Sequence, residues 1–283
     1  MFRRSFYLLL VLGLALSACT VPFRLPLTRQ TGPLTVEQIA LPVPPDAAVI
    51  DLSLSFGAGK LILNPGTDSL VSGTASYNVE DFKPIVSVVG GKVSIEQGDW
   101  HIDGIPDFNE IKNEWNLMLG NVPMNLSIDA GAYQAEYEFG GLALTNLTIS
   151  DGAADVTLNF SESNTTEMTL FKYQTGASNV SLLGLGNANF STLEFDSGAG
   201  NYTLDFSGEL KRDASVNIET GVSNMTLVIP DGIPVQITIE GGLSNITHGT
   251  GWEKDGNVYT QEGSGPQLTI VIEIGAGNLT ITR

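Results

Sequence analysis

The chain has very little cysteine, histidine or positive charge. Its 283 residues include one cysteine (Cys19), two histidines, and 13 lysines and arginines against 31 aspartates and glutamates. Because a single cysteine cannot form a disulfide within the chain, stability has to come from the core and from backbone hydrogen bonds. The formal net charge of −18 excludes nucleic acid as a partner, since phosphates are neutralised by clusters of lysine and arginine.

Long apolar runs are also lacking, except at the N-terminus. Arg3 and Arg4 precede an apolar stretch, Phe6 to Leu16, that is too short for a membrane span and predicts a signal peptide over residues 1–18. The stretch ends in Leu16-Ser17-Ala18-Cys19, which resembles a bacterial lipobox. The resemblance implies cleavage before Cys19 and attachment of a diacylglyceryl group, with fatty acids such as palmitate, to its sulfur. A lipoprotein anchored to the membrane on the extracytoplasmic side is therefore predicted.

Motifs for catalysis are missing as well. The sequence contains no Gly-x-Ser-x-Gly elbow and no His-Glu-x-x-His zinc motif. His101 lies beside Trp100 and Asp103, while His248 stands where other repeats carry Leu or Ile, which indicates a repeat near an edge or an insertion. We predict that the protein is not an enzyme. A glycan-active enzyme is the least favoured alternative, because binding acidic sugars requires basic residues and these are few and scattered.

The chain is rich in glycine, much of it in a recurring motif, Gly-small-x-Asn-apolar-Thr/Ser-apolar. Gly198-Ala199-Gly200-Asn201-Tyr202-Thr203-Leu204 is a full copy. From Gly131 to Gly242 the motif recurs at intervals of about 21 to 24 residues, which is typical of repeat architectures. The copies begin at Gly152, Gly176, Gly198, Gly221, Gly242 and Gly275, with weaker ones at Gly57 and Gly131.

Apolar and polar residues alternate on both sides of each repeated glycine, as they do in β-strands. The pattern predicts an all-β protein, a single-chain β-solenoid with two strands in each rung of about 22 residues, and with the glycine at the rung corner. A β-sandwich is the alternative. We divide the chain into a signal peptide (1–18), a proline-rich tether (19–47), an irregular N-terminal β region (48–116) and the repeat solenoid (117–283).

Equivalent residues of stacked rungs form ladders, and two ladders stand out. The residue three places after each glycine is an asparagine, or in one copy an aspartate. This predicts a structural ladder of hydrogen-bonded side chains. Its members are Asp155, Asn179, Asn201, Asn224, Asn245 and Asn278. The Asn-x-Ser/Thr sequons are then a by-product of the repeat rather than glycosylation sites.

The second ladder is acidic and lies two residues before the glycine. It includes Asp196, Glu219, Glu240 and Glu273. Stacked carboxylates repel one another, so they either point into solvent or bind a cation, and Ca²⁺ is the cation that such oxygen ligands suit. No other cofactor is expected.

One segment resembles the toast-rack proteins of bacterial envelopes. The segment is Val122-Pro123-Met124-Asn125-Leu126-Ser127-Ile128-Asp129-Ala130-Gly131-Ala132, followed by Leu144-Thr145-Asn146-Leu147-Thr148-Ile149. The later repeats resemble the related β-solenoid domains of candidate adhesins. The resemblance implies a fold and an envelope location, but no catalytic residues.

These features together predict a non-enzymatic structural or adhesion module of the cell envelope. A regulatory or sensory part of an envelope-stress response is the alternative. The expected partners are a membrane, through the lipid on Cys19, and an envelope protein or glycan. Because the last repeat, Gly275 to Ile281, nearly reaches the chain end, its strand is expected to be an exposed edge through which copies self-associate.

Overall fold

A computed structural model describes residues 31–98 and 110–283 of the chain. The predicted signal peptide, Cys19 and His101 lie outside these residues. The described residues form one 15-stranded sheet with two short 3-10 helices, Glu80–Phe82 and Leu185–Ala188. The strands are β1 Thr35–Leu41, β2 Ile50–Thr67, β3 Val71–Tyr77, β4 Pro84–Val89, β5 Lys92–Gln97, β6 Asn113–Gly120, β7 Met124–Glu138, β8 Leu144–Asn159, β9 Met168–Leu183, β10 Phe190–Asp205, β11 Ala214–Val228, β12 Val235–His248, β13 Glu253–Asp255, β14 Val258–Gln261 and β15 Leu268–Thr282.

Each long strand runs through its repeated glycine, so the two strands predicted for each rung are two arms of one strand. We call the part before the glycine the first arm and the part after it the second arm. In β10, the first arm buries Leu193 and Phe195, and the second buries Tyr202 and Leu204. Their neighbours along the strand face outward, as the period of two in a strand requires. Both arms therefore bury one face, and the predicted all-β solenoid class is confirmed.

The long strands lie parallel and in register. Leu147 pairs with Phe171, Phe171 with Leu193, and Leu193 with Val216. Their side chains form one continuous core that runs from Ile39 to Ile281. Aromatic rings contact one another from rung to rung within it, as in Phe139, Phe160 and Phe171, whose successive centroids are each 6.1 Å apart. The spacing of the glycines thus stacks apolar residues that occupy the same position in successive repeats.

The sheet divides at β2, where different strands cover the two arms. The first arm of β2 pairs with β5, which pairs with β4, and the second arm pairs with β6, which leads to β3 and β1. On its other side β2 pairs with β7 along both arms. Gly57 is therefore the corner of a complete rung, and the region predicted to be irregular contributes this rung and the strands that cover it. The predicted boundary between residues 116 and 117 falls inside β6.

The prediction of a tether as far as residue 47 is wrong for β1. Thr35–Leu41 pairs antiparallel with β3 along its whole length. Pro33 and Pro42 flank this strand rather than interrupt it, and proline is well tolerated at the ends of a strand because no ladder hydrogen bond is lost there. Proline content alone had suggested an extended chain.

The prediction that the C-terminal strand is an exposed edge is also wrong. The strand order is β10-β11-β15-β12-β14-β13. β15 is inserted between β11 and β12 and is parallel to both, so that Asn278 pairs with Asn224 on one side and Asn245 on the other. The last strand of the chain is therefore interior, and self-association through it has no free edge to use. In residues 31–98 and 110–283, no helix has the length and apolarity to cross a bilayer.

Candidate binding surface

The asparagines three places after the corner glycines lie side by side on the outer face of the second arms. Asn201 Nδ2 donates to Asn179 Oδ1 at 2.8 Å, Asn224 Nδ2 to Asn201 Oδ1 at 3.1 Å, and Asn278 Nδ2 to Asn224 Oδ1 at 2.7 Å. Asp155 pairs with Asn179, and Asn245 with Asn278, so the structure brings all six predicted residues into one row. The amides of Asn201 and Asn224 both donate and accept along the row, which fixes their orientation.

A second outward row runs beside the asparagines, two residues further along each strand. It consists of hydroxyl side chains in register, namely Thr157, Ser181, Thr203, Thr226, Thr280 and Thr247. The two rows together form a polar surface on the outside of the second arms, which we call the Asn/Thr face. Because its groups are held by strand pairing and by amide hydrogen bonds, the Asn/Thr face is ordered before any ligand arrives.

The acidic residues predicted to stack also lie in one row, at the end of the first arms. Asp196 pairs with Glu219, Glu219 with Glu273, and Glu273 with Glu240. A groove of about 590 Å³ runs along the row and is lined by Asp196, Glu219 and Glu273. Asp196 is partly neutralised, since Lys172 Nζ lies 3.9 Å from its Oδ2 and Gln174 Nε2 donates to the same atom at 3.2 Å.

The geometry of the acidic row does not favour calcium. Across the described parts of the chain, no three His, Cys, Asp or Glu side chains converge as a metal site requires, although Ca²⁺ takes six to eight oxygen ligands. Pairing at strand spacing places the carboxylates along a line rather than around a point. The predicted Ca²⁺ ladder at Asp196, Glu219, Glu240 and Glu273 is therefore a row of acids, and not a coordination shell.

A polar cluster inside the corner was not predicted from the sequence. Asp151 accepts hydrogen bonds from the Tyr173 hydroxyl at 2.7 Å, from Ser178 Oγ at 3.3 Å, from the Tyr133 hydroxyl at 3.4 Å, and from Thr175 Oγ1. Thr175 Oγ1 also lies 2.6 Å from Ser178 Oγ. In the pairing register Ser150 occupies the acidic row of this rung, and Asp151 lies one place inward. The sequence gives one indication of this cluster, because Asp151 lies one residue before its glycine, whereas the acids of the row lie two residues before theirs.

Burial changes the acidity of the tyrosines in this cluster. Desolvation, followed by the negative charge of Asp151, raises the pKa of Tyr133. Desolvation raises the pKa of Tyr137 and of Tyr173 well above the ordinary tyrosine value. The folded state therefore holds these three hydroxyls protonated and able to donate at a pH at which exposed tyrosines ionise.

The histidine within the described residues, His248, has no catalytic arrangement. It ends β12, the outermost of the parallel long strands, as expected for a repeat near an edge. Its Nδ1 lies 3.0 Å from the Gly249 carbonyl oxygen, and its ring centroid is 5.3 Å from that of Tyr259.

A sequence model described as the N-terminal domain of toast_rack, DUF2154, matches residues 30–172 and 164–228. The match covers well over half of the chain and includes the rungs built on β2, β7, β8, β9 and β10. The chain belongs to the toast-rack family. The resemblance read from the residues around Gly131 is thereby confirmed. No curated protein sequence matches this toast-rack chain.

Several solved structures are similar to this toast-rack protein. A candidate cell adhesion protein from Clostridium sporogenes ATCC 15579 is 22% identical, with a TM-score of 0.50 over 88% of this chain and 99% of its own. A candidate adhesin from Bacteroides fragilis NCTC 9343 is 8% identical, with a TM-score of 0.35 over 90% and 98%. Another, from Parabacteroides merdae ATCC 43184, is 9% identical, with a TM-score of 0.35 over 89% and 97%. Only the first similarity is strong enough to bear on the fold.

The hydrogen bonds of the asparagine row generate a stability prediction. Asn224→Ala removes the bond to Asn201 and the bond from Asn278, and we expect the free energy of unfolding to fall by about 1–2 kcal/mol. The matched control is Asn217→Ala on the same strand, an outward asparagine whose register neighbours are Glu194 and Val271 rather than amides. Urea unfolding of both variants measures the difference. Equal losses would mean that the row does not stabilise the sheet.

The buried tyrosines generate a prediction about alkaline pH. Their folded pKa values are raised, so their contribution to stability is fully present below about pH 10, the ordinary tyrosine value, and is lost as the pH rises further. Each tyrosine that ionises only on unfolding adds a slope of about 1.4 kcal/mol per pH unit. Tyr173→Phe should remove one such slope. Unfolding free energies between about pH 9 and 12 measure it, and phenolate absorbance from these residues in the folded sheet would contradict the prediction.

Proposed function

We propose that this toast-rack protein is a non-enzymatic adhesion or structural module of the cell envelope, held to a membrane by a lipid on Cys19. The observation that carries the proposal is the Asn/Thr face, where amides of Asn179, Asn201 and Asn224 are joined by hydrogen bonds of 2.8 and 3.1 Å along a rigid sheet. Preorganised polar groups of this kind suit binding to an extended polar partner, because little side-chain entropy remains to be lost.

The kind of partner follows from the charge and chemistry of that face. A ladder of amides and hydroxyls offers alternating donors and acceptors, which match the hydroxyl and amide groups of a cell-wall glycan or the backbone of an envelope protein. The acidic groove beside Glu219 and Glu273 disfavours polyanions. The similar fold from Clostridium sporogenes is described as a candidate cell adhesion protein, which supports an adhesive role.

The lipid anchor is supported by Leu16-Ser17-Ala18-Cys19 following an apolar run. Cleavage before Cys19 would leave residues 20–34 between the lipid and β1, the first strand of the sheet. Stable membrane attachment requires more than one acyl chain, and a diacylglyceryl group supplies two. The proposal thus places the Asn/Thr face outside the cytoplasm, within reach of envelope polymers.

The anchor is tested by metabolic labelling with an alkyne analogue of palmitate. We expect wild-type protein to be labelled and to fractionate with membranes, and Cys19→Ala to lose both properties, because the cysteine sulfur is the attachment point. Thr20→Ala is the matched control and should keep the label. Label on Cys19→Ala, or a wild-type protein without label, would contradict lipid attachment at this residue.

The binding role is tested with the tagged full-length protein in envelope extracts. Retention of cell-wall glycan, reduced by Asn201→Ala combined with Thr203→Ala but not by Asn217→Ala, is the result expected of an adhesion module. Capture of a signalling protein instead would favour the regulatory alternative. Hydrolysis of members of a glycan panel would contradict the non-enzymatic proposal.

A further inference from the structure

The strand β4 is an apolar edge of the sheet. Ile85, Val86, Ser87, Val88 and Val89 are all exposed, and the four apolar side chains among them expose between 41% and 71% of their surface. β4 pairs with β5 on one side, and no described strand pairs with it on the other. The backbone groups along that free side can be satisfied by another extended strand.

The edge at the opposite end of the sheet shows how unwanted pairing is prevented. There the outermost strand is β13, which has three residues, Glu253, Lys254 and Asp255, all charged and exposed. Short, charged edges resist pairing because the incoming strand would have to bury the charges. β4 has six residues and no charge, so it lacks this protection, although the chain carries a net charge of −18.

The sequence of β4 is complementary to itself. If two copies pair antiparallel about a two-fold axis at Ser87, Ser87 faces Ser87, Val86 faces Val88, and Ile85 faces Val89. Val86 and Val88 lie on the same side of the sheet as the buried Val93 and Ile95 of β5, with which they pair. The two-fold axis keeps the same side of the sheet together, so the exposed valines of each copy extend the apolar face of the other.

Charged residues of β5 are also arranged in a complementary way in this register. Lys92 pairs with Val89, and Glu96 pairs with Ile85. Because Val89 of one copy faces Ile85 of the other, each of these cross-strand rows has Lys92 of one copy at one end and Glu96 of the other copy at the other end. Opposite rather than like charges therefore share each row.

From these observations we propose that two copies of this chain associate through antiparallel pairing of β4 with β4, centred on Ser87. The sheet then continues through both molecules in the order β2-β5-β4-β4-β5-β2. An interface built on one strand pair is small, so the association is weak in solution. Attachment of both copies to one membrane would strengthen it by raising their effective concentration.

A disulfide tests the register of the pairing. In full-length Cys19→Ala protein in detergent, Ser87→Cys places two thiols opposite each other, with Cα atoms about 4.5–5.5 Å apart, which a disulfide can span. We expect a covalent dimer on mild oxidation. Ser94→Cys, on the β5 residue that pairs with Ser87, is the matched control, because its two copies would lie about 14 Å apart, three strand spacings. Dimer from both variants, or from neither, would overturn the proposal.

The mass of the full-length protein gives a second, independent test. Sedimentation of the Cys19→Ala protein should show a monomer and a dimer in equilibrium, and Val88→Lys should abolish the dimer while leaving the melting temperature unchanged. Val222→Lys is the control, because Val222 is an equally exposed valine (62%) on β11 far along the sheet from β4, and it should keep the dimer. If the Cys19→Ala protein without a β4 substitution stays monomeric at all concentrations, the self-association is refuted. This is the result expected if another segment of the same chain covers β4.

Discussion

Each rung of the sheet turns its corner at a glycine that leaves room for the backbone of the rung below. A Cβ built on Gly176 would press against the carbonyl oxygen of Gly152, and one on Gly198 against that of Gly176. The same holds for Gly221 over Gly198 and for Gly275 over Gly221. Because any side chain would push neighbouring rungs apart, the column of glycines sets the close spacing on which both arms depend for their ladders of hydrogen bonds.

The glycine column also separates two kinds of polar group. On the outer side of the corner the asparagines bond to one another in a row open to solvent, as Asn224 does with Asn201. On the inner side, Thr175 and Ser178 turn towards each other and towards Asp151. Two residues only three apart in sequence therefore meet across the bend, and a carboxylate can be accommodated beside the core because hydroxyl donors surround it.

Much of this arrangement could be predicted from the sequence, because repeated residue types report equivalent positions. The positions of Asn201, Asn224 and Asn278 in one row follow from the repeat alone, as does the inward direction of Tyr202 and Leu204. The order of the rungs does not follow, since the copies at Gly242 and Gly275 carry equivalent residues and either of them could pair with β11. The longer interval between these two glycines, which holds the β13–β14 hairpin, was the only indication that stacking departs from chain order.

Local composition was the weaker guide. The prolines around β1 predicted a tether, yet Thr35–Leu41 pairs with β3 along its whole length. The polar cluster at Asp151 was missed because hydrogen bonds across a bend depend on three-dimensional proximity and not on period. Whether acids in a row converge on an ion is likewise a property of side-chain direction, which spacing along the chain does not contain.

The position of β15 has a consequence for how the chain acquires its structure. Most neighbouring rungs are linked by short loops, and their paired asparagines are 22 or 23 residues apart, whereas Asn278 reaches back 54 residues to Asn224. A chain that emerges from its N-terminus can stack rungs one after another only as far as β11. The second arm of β12 reaches its place in the sheet only when β15, a later strand, pairs between it and β11. Stacking of these rungs therefore depends on contacts between residues far apart in the sequence, which form slowly.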